Sequence, residues 1–236
     1  MTSSLVLLAP LRIEARAARR GAPTAEVLRT GMGPRKSQEF VARWTPPVGG
    51  GRIARPPLVM ISGFGGGLGP DAKPGDVVVA TELRVTAADD SSHVATPLDF
   101  SMGADLVALL ESAGHRVHLG PLVSSPVLVR GREQRDALHN GGAVAVDMES
   151  WWLAEPYRTL PPATKPETIP TRFGVVRVLT DSAADEVMSP AILRNVRVAY
   201  RVLRDVAAVI ERWNNASTGN VYRAPSRESS SEEVES

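Results

Sequence analysis

The sequence contains no cysteine, which excludes disulfide bonds and metal sites built on thiolates. It also carries almost no excess charge, since 27 lysines and arginines stand against 26 aspartates and glutamates and give a formal net charge of +1. This balance favours neither a nucleic-acid-binding protein nor one attracted to an anionic membrane surface. No run of residues approaches the ~18 to 20 consecutive apolar positions that span a bilayer.

The short apolar run near the beginning of the sequence, SLVLLAP, has no basic residue before it and several arginines after it. A secretory signal peptide has the opposite order, with its positive charge in front of the apolar segment. We therefore expect a cytoplasmic protein with no membrane span. The lack of cysteine is compatible with that compartment.

Short apolar runs recur along the chain, and each is bounded by glycine, proline or aspartate. They are rich in valine and leucine, as is typical of strands buried on both faces: SLVLLAP, PLVMISG, DVVVATEL, RVHLGPLVSS, GAVAVDM and FGVVRVLTD. Helical patterns lie between several of them: PRKSQEFVARW, GADLVALLESAG, EQRDALHNG and SPAILRNVRVAYRVLRDVAAVIERW. The alternation predicts an α/β three-layer sandwich with a largely parallel or mixed central sheet. Ligands of such sheets bind beyond the carboxyl ends of the strands.

Composition also predicts where regular structure stops. Residues 45–57 and 155–170 are dense in proline and glycine, which indicates irregular loops. After Trp213 the chain becomes polar and serine-rich, which predicts a disordered tail over residues 214–236. Residues 1–213 are then expected to form one domain of ordinary size.

Two glycine-rich segments are candidates for close contact with a ligand. The first, residues 62–82, does not match the dinucleotide-binding spacing, because Leu68 stands where the third glycine is needed and a strand follows. Its backbone is expected to approach either a ligand or a neighbouring strand. The second, RTGMGPRKS, places two glycines at the start of a predicted helix among cations, which is either an anion site or a plain turn.

Acidic residues lie in or directly after buried runs, although an unpaired buried carboxylate costs several kcal/mol. Asp147 and Glu149 lie inside GGAVAVDMESWWLA. Glu14 follows the first apolar run, where a structural role in the first turn of a helix is the alternative. Asp181 follows FGVVRVLT, where a helix N-cap is the alternative. The four histidines show no metal-ligand spacing, and there is no nucleophile motif.

Three segments, in this order, resemble the nucleoside phosphorylase and nucleosidase superfamily over roughly residues 5–213. GFGGGLGPDAKPGDVVV resembles its glycine-rich segment running into K-x-G-D, AVDMES its (D/E)-M-E signature, and VVRVLTDSAAD its R-x-x-(S/T)-D-x-A segment. The resemblance implies a phosphorylase/hydrolase-like fold and cleavage of the N-ribosidic bond of a purine nucleoside. It also implies a homo-oligomer that needs no cofactor and no metal.

The resemblance assigns the acids to particular steps of that cleavage, in which the sugar becomes oxocarbenium-like and the purine gains negative charge. Asp181 would protonate or hydrogen-bond the purine N7. Glu149 would hold the ribose hydroxyls, with Met148 packing on the sugar. Glu14 stands where the nucleosidases keep an acid that helps to activate water. Asp147, by contrast, is expected to hold a neighbouring backbone or cation.

Further substrate contacts follow from the same resemblance. The glycine-rich segment would contribute Phe64, Gly65 and Gly66, and the base would lie against Leu128 and Val129. Phe64 departs from the small polar residue that many members carry there. A bulky apolar group at the mouth of the site fits a nucleoside with an apolar 5′ substituent, such as adenosylhopane.

Two alternatives stay open from the sequence. In phosphorylases phosphate replaces water as the nucleophile, and Gly31, Gly33 and Arg29 or Arg35 could bind it. A non-catalytic nucleoside-binding protein of the same fold is the second alternative. The presence of all three acids, Glu14, Glu149 and Asp181, argues against it, because binding alone requires no general acid.

Overall fold

The computed structural model describes residues 5–47, 57–86, 93–98, 103–158, 172–181 and 192–216. The strands are β1 Leu5–Ala9, β2 Glu26–Arg29, β3 Leu58–Gly67, β4 Val77–Thr86, β5 His93–Pro97, β6 Val117–Ser124, β7 Ala145–Asp147 and β8 Arg172–Asp181. The helices are α1 Arg12–Gly21, α2 Gly33–Val41, α3 Gly103–Ser112, α4 Arg132–Asn140, α5 Ser150–Leu153, α6 Glu155–Arg158 and α7 Ile192–Ala216.

All these strands belong to one mixed sheet. Its order is β2-β1-β3-β7-β6-β4-β5, and β8 pairs with both β3 and β4, so that five strands close into a ring. Pairing is antiparallel for β3 with β7 and for β4 with β5 and β8, and parallel elsewhere. The predicted α/β class with a mixed sheet is confirmed.

Helices cover both faces of the sheet, as the uninterrupted apolar strands predict. In β1, Leu5 and Leu7 belong to the apolar core beneath α1, α3 and α7. Val6 and Leu8 belong to a second core that includes residues of α5 and is contacted by α2. Because side chains alternate along a strand, only a strand apolar at every position can serve two such cores.

The six strands predicted from apolar runs are all present, whereas β2, β5 and α5 were not predicted, and α1 was considered only in the alternative that placed Glu14 in the first turn of a helix. The sequence of β2, EVLR, has one fully buried position, so its apolar pattern is too weak to predict a strand.

Segment 155–170 was predicted to be irregular, yet its first four residues form α6. There the guanidinium of Arg158 lies 3.7 Å from the ring centre of Trp151, and Tyr157 stacks on Phe173 at 4.2 Å.

Helix α7 continues through residues 214–216, which we assigned to the tail. Asn214 is buried and accepts a hydrogen bond from Arg172 at 2.7 Å, and this contact explains the extra turn. The rest of the predicted tail, residues 217–236, lies outside the described residues. So do residues 48–56 and 159–170 of the two predicted loops.

A β-bulge interrupts the pairing of β3 with β8 near the carboxyl ends of these strands. Gly65 pairs with Leu179 but Gly66 pairs with Asp181, so Thr180 has no partner in β3. The two β3 glycines beside the bulge show that it places the side chains of Arg177 and Asp181 differently. A Cβ built on Gly65 would lie 3.3 Å from the Cβ of Arg177, whereas one on Gly66 would lie 3.3 Å from Asp181 Oδ1.

Candidate active site

A cavity opens at the carboxyl ends of β1, β3 and β8, which run parallel to one another. The structure brings most of the predicted substrate residues to its wall: Glu14, Phe64, Gly65, Gly66, Leu128, Val129, Met148, Glu149 and Asp181. These residues come from distant parts of the sequence and meet because parallel strands end at the same edge of a sheet. The predicted anion-binding residues Arg29, Gly31 and Gly33 do not line the cavity, whereas Met32 does.

Glu14 lies in the first turn of α1 and is 2% exposed. Its Oε2 accepts a hydrogen bond from the Leu11 N–H at 2.5 Å, which satisfies a donor at the helix start. Its Oε1 accepts from the Phe64 N–H at 2.6 Å and thereby ties α1 to β3. Burial raises the pKa of Glu14, while Arg177 and the two backbone donors oppose the rise.

Glu149 immediately precedes α5, because β7 ends at Asp147 and the chain turns into the helix. One of its oxygens, Oε1, accepts a hydrogen bond from the Gly33 N–H at 2.9 Å, and Oε2 lies 3.6 Å from Arg177 Nη2. Burial raises the pKa of Glu149 to about 7; Arg177 opposes the rise and the neighbouring carboxylate of Asp147 adds to it.

Asp147 also lines the cavity, but its carboxylate is bound by scaffold residues, in agreement with the structural role expected for it. Its carboxylate pairs with Arg177 Nη2 at 2.5 Å and accepts hydrogen bonds from the hydroxyls of Ser124 and Ser150. It also accepts from the backbone N–H groups of Glu149 and Ser150. These contacts fix the turn that carries Glu149 to the cavity.

Arg177 is the residue that joins the buried acids, and the sequence analysis gave it no role although it is the arginine of the R-x-x-(S/T)-D-x-A segment. Its side chain is wholly buried, and burial would lower its pKa, but Asp147, Glu149 and Glu14 together raise it. Its Nε and Nη1 have no hydrogen-bond partner in the part of the chain that the structure describes. A Cβ on Gly63 would lie 2.5 Å from Nη1, so this position requires glycine. An arginine inside the apolar run FGVVRVLTD was the available clue.

Asp181 contacts a second buried arginine that was also missed. Arg135 of α4 is 2% exposed, and its Nη2 donates to Asp181 Oδ2. Its Nη1 donates to the Gly67 carbonyl at 3.4 Å, and Asp181 Oδ1 accepts from the Thr180 hydroxyl at 3.2 Å. In the sequence REQRDALHN, Arg135 cannot be told from the neighbouring solvated charges.

The residues of the predicted anion-binding turn make other contacts in the structure. Gly31 and Gly33 have φ of 94° and 82°, which glycine adopts without strain. The N–H of Gly33, a candidate phosphate donor, is bonded to Glu149. Arg29 is exposed, and Arg35 pairs with Glu39 at 3.4 Å on the outer side of α2.

The rim of the cavity is apolar and exposed. Met32, Val127 and Leu128 keep 60%, 66% and 44% of their surface accessible, and partly buried Phe64 lies deeper on β3. Apolar side chains left this exposed around a cavity favour contact with an apolar ligand or partner.

Among the described residues, no group of three acidic or histidine side chains has a geometry that could hold a metal ion. A search of the described helices finds none with the length and apolarity needed to cross a bilayer.

Residues 22–155 match the model of the phosphorylase superfamily. Similar solved structures include a mutant of Helicobacter pylori MTAN with 5′-methylthioadenosine in the active site (15% identity, TM-score 0.65, covering 92% of this chain and 100% of that one). A second is the Neisseria meningitidis 5′-methylthioadenosine/S-adenosylhomocysteine nucleosidase in complex with methylthio-immucillin-A (19% identity, TM-score 0.63, covering 88% of this chain and 98% of that one). A third is the H. pylori futalosine hydrolase (15% identity, TM-score 0.63, covering 90% of this chain and 97% of that one). Because the family model covers more than half of the chain, this protein belongs to the phosphorylase superfamily.

Proposed function

We propose that this protein cleaves the N-glycosidic bond of a purine nucleoside, with water as the nucleophile. The observation that carries the proposal is that Glu14, Glu149 and Asp181 line one cavity. Burying three carboxyl groups is costly, and burial raises the pKa of two of them, Glu14 and Glu149, as is typical of acids in catalytic clefts. We assign residues 5–216, which include the whole of α7, to the catalytic domain.

In the proposed step, the oxygen of water attacks C1′ of the ribose as the bond from C1′ to the purine nitrogen breaks. The electron pair of that bond passes to the purine, and Asp181 in its protonated form donates to N7. Glu14 takes the proton that the water releases, a role for which a raised pKa is suited. The products are the free base and a 5′-substituted ribose, and solvent returns the proton from Glu14 to Asp181.

Glu149 would accept hydrogen bonds from the ribose hydroxyls, and Met148 would pack on the sugar. Bonds to the hydroxyl next to the reacting carbon strengthen as the oxocarbenium ion forms, so they lower the barrier as well as bind. Arg177 and the backbone N–H of Gly33 contact the Glu149 carboxylate and fix its position. Arg177 is therefore a positioning residue in this scheme.

The charges around the cavity favour water over phosphate. The carboxyl groups of Glu14, Asp147, Glu149 and Asp181 line the cavity against the two guanidiniums of Arg177 and Arg135, so a phosphate anion would meet more negative than positive charge. The exposed Arg29 lies outside the cavity wall and does not change this balance.

The apolar rim supports a substrate with an apolar 5′ substituent, of which adenosylhopane is one example. Met32, Val127 and Leu128 are apolar and solvent-exposed, and covering them removes apolar surface from water. A charged substituent would gain nothing there and would lose part of its hydration.

An assay of base release tests the proposal. We expect methylthioadenosine, adenosylhomocysteine, adenosine or inosine to release its base at a rate that added phosphate leaves unchanged. A series of 5′-alkylthioadenosines serves as the internal comparison, and we expect KM to fall as the alkyl chain lengthens. Release that requires phosphate would contradict the choice of nucleophile, and no release from any nucleoside would contradict catalysis.

The pKa of Glu149 predicts a pH dependence. The ionised carboxylate accepts hydrogen bonds from hydroxyls, so nucleoside affinity should increase as pH rises from about 6 to about 8, through the Glu149 pKa of about 7. Glu149→Gln should lower affinity and rate together and abolish the pH dependence, because a charge-assisted bond is lost. Titrations monitored by calorimetry would measure this, with the exposed Glu111→Gln as the control. A pH dependence that persists in Glu149→Gln would assign it to another group.

The contact between Asp181 and Arg135 favours a second candidate function. A carboxylate that accepts from a guanidinium and from the Thr180 hydroxyl is suited to accept hydrogen bonds rather than to donate a proton. A nucleoside-binding protein without turnover would keep such an arrangement. Thermal stabilisation by a nucleoside with no release of base would support this candidate.

A further inference from the structure

We propose that the outer surface of α1 and α7 docks the protein on an anionic phospholipid membrane. The two helices pack side by side on one face of the sheet, and the Arg20 guanidinium donates to the Tyr200 hydroxyl at 2.8 Å between them. Nine exposed arginines lie on this surface, which we term the arginine face: Arg12, Arg16, Arg19, Arg20, Arg194, Arg197, Arg201, Arg204 and Arg212.

The arginines of α7 form a stripe along the helix. At 100° per residue, Arg194, Arg197 and Arg201 fall within about a quarter of the helix circumference. The opposite side of the helix is buried in the core through residues such as Leu203 and Ile210. The stripe therefore points away from the protein over several helical turns.

Most of this charge is not neutralised by the protein. The acids on the two helices are Glu14, which is buried, Asp205, which contacts Arg204 at 2.8 Å, and Glu211, which accepts from Thr24. Within the described parts of the chain, Arg204 is the one arginine of this face that forms an ion pair, and the other eight do not. Two of those eight, Arg19 and Arg20, donate to the Val27 carbonyl and the Tyr200 hydroxyl, which are uncharged. The formal charge of +1 therefore conceals a strongly cationic surface that the overall composition does not predict.

Exposed apolar residues on the same helices favour lipid over nucleic acid. Leu193 is 70% exposed, and Val198 and Ile13 are each 38% exposed. Cations interspersed with apolar side chains are typical of helices that lie at the boundary between headgroups and acyl chains. The aromatic residues on these helices offer little ring surface for stacking on bases, since Tyr200 is partly buried and Trp213 is buried.

Co-sedimentation of the full chain with vesicles tests the inference, and it does not depend on the proposed activity. We expect binding to phosphatidylcholine vesicles that contain phosphatidylglycerol, loss of binding at about 0.5 M salt, and none to phosphatidylcholine alone. Each arginine near the surface contributes about fivefold to partitioning, so replacing Arg194, Arg197 and Arg201 with glutamine should weaken binding about 100-fold. Glutamine preserves helix propensity at these exposed positions.

The matched control removes three exposed arginines elsewhere, Arg43→Gln, Arg116→Gln and Arg132→Gln, and should change binding less than twofold. Equal weakening by both triple variants would attribute binding to net charge and overturn the inference. Absence of binding to anionic vesicles, or tighter binding to duplex DNA at the same salt concentration, would also overturn it. Leu193→Gln should weaken vesicle binding without steepening its salt dependence.

Discussion

Asp181→Ala is expected to lower kcat about 100- to 10,000-fold while nucleoside binding stays measurable, because the purine then leaves without a donor at N7. Steady-state assays of base release would give kcat, and titration with a non-cleavable nucleoside analogue would give Kd. Because the lost interaction belongs to the transition state, kcat and kcat/KM should fall by similar factors.

The same substitution removes the carboxylate that the buried guanidinium of Arg135 contacts, and breaking a buried pair costs about 3–5 kcal/mol. A double variant distinguishes the loss of stability from the loss of catalysis. Combining Arg135→Met with Asp181→Asn removes both charges, so the free energy of unfolding should recover most of that loss while kcat stays low. A folded double variant with normal turnover would remove Asp181 from the mechanism. Equal loss of binding and turnover in a folded Asp181→Ala variant would contradict the role of donor at N7.

Arg177→Met is expected to cause the largest loss of stability of any single substitution in the site. It removes the one cation between Glu14, Asp147 and Glu149, and one uncompensated buried charge already costs about 3–5 kcal/mol. With total stabilities of about 5–15 kcal/mol, the variant should be close to unfolded at neutral pH. Denaturant titration at several pH values would measure the loss, with the exposed Arg43→Met as the control.

Acid should partly rescue Arg177→Met. Glu14 and Glu149 already have pKa values above the ordinary 4.5 in the folded protein, and removing the guanidinium raises them further. A carboxyl group with a raised folded pKa binds more protons in the folded state, so stability falls as pH rises from about 4.5 through that pKa. The deficit relative to the parent protein should therefore be smaller at about pH 6 than at about pH 8. An identical deficit at both pH values would show that the carboxyl charges are not its cause.

The sequence predicts the strands and the edge at which the site lies because both depend on local patterns. Apolar runs mark strands buried on two faces, and the parallel strands β1, β3 and β8 then bring Glu14, Phe64 and Asp181 together at their carboxyl ends. The different roles of Asp147 and Glu149 do not follow from their spacing, because residues two apart in a regular strand share a face and both acids line the cavity. Their contacts differ because β7 ends at Asp147 and the chain turns before Glu149.

The charge partners could not be predicted, because they depend on tertiary contacts. Arg135 lies in a helix whose sequence indicates solvated charges, and only the position of α4 over the cavity buries it. The Gly33 N–H has the sequence context of an anion site, yet in the structure its acceptor is Glu149. The homo-oligomer and the cytoplasmic location stay predictions.

The bulge at Thr180 keeps the two arginine networks apart. If β3 and β8 paired regularly to their ends, Asp181 would stand opposite Gly67 and would face the side that Arg177 occupies, because residues four apart in a strand share a face. The bulge takes up one residue, so Asp181 faces the opposite side and has Arg135 as its counter-ion. In this site the register of a strand matters as much as the identity of its residues. A shift of β8 to regular pairing at Thr180 would leave every side chain of the site in the sequence and would still separate Asp181 from Arg135.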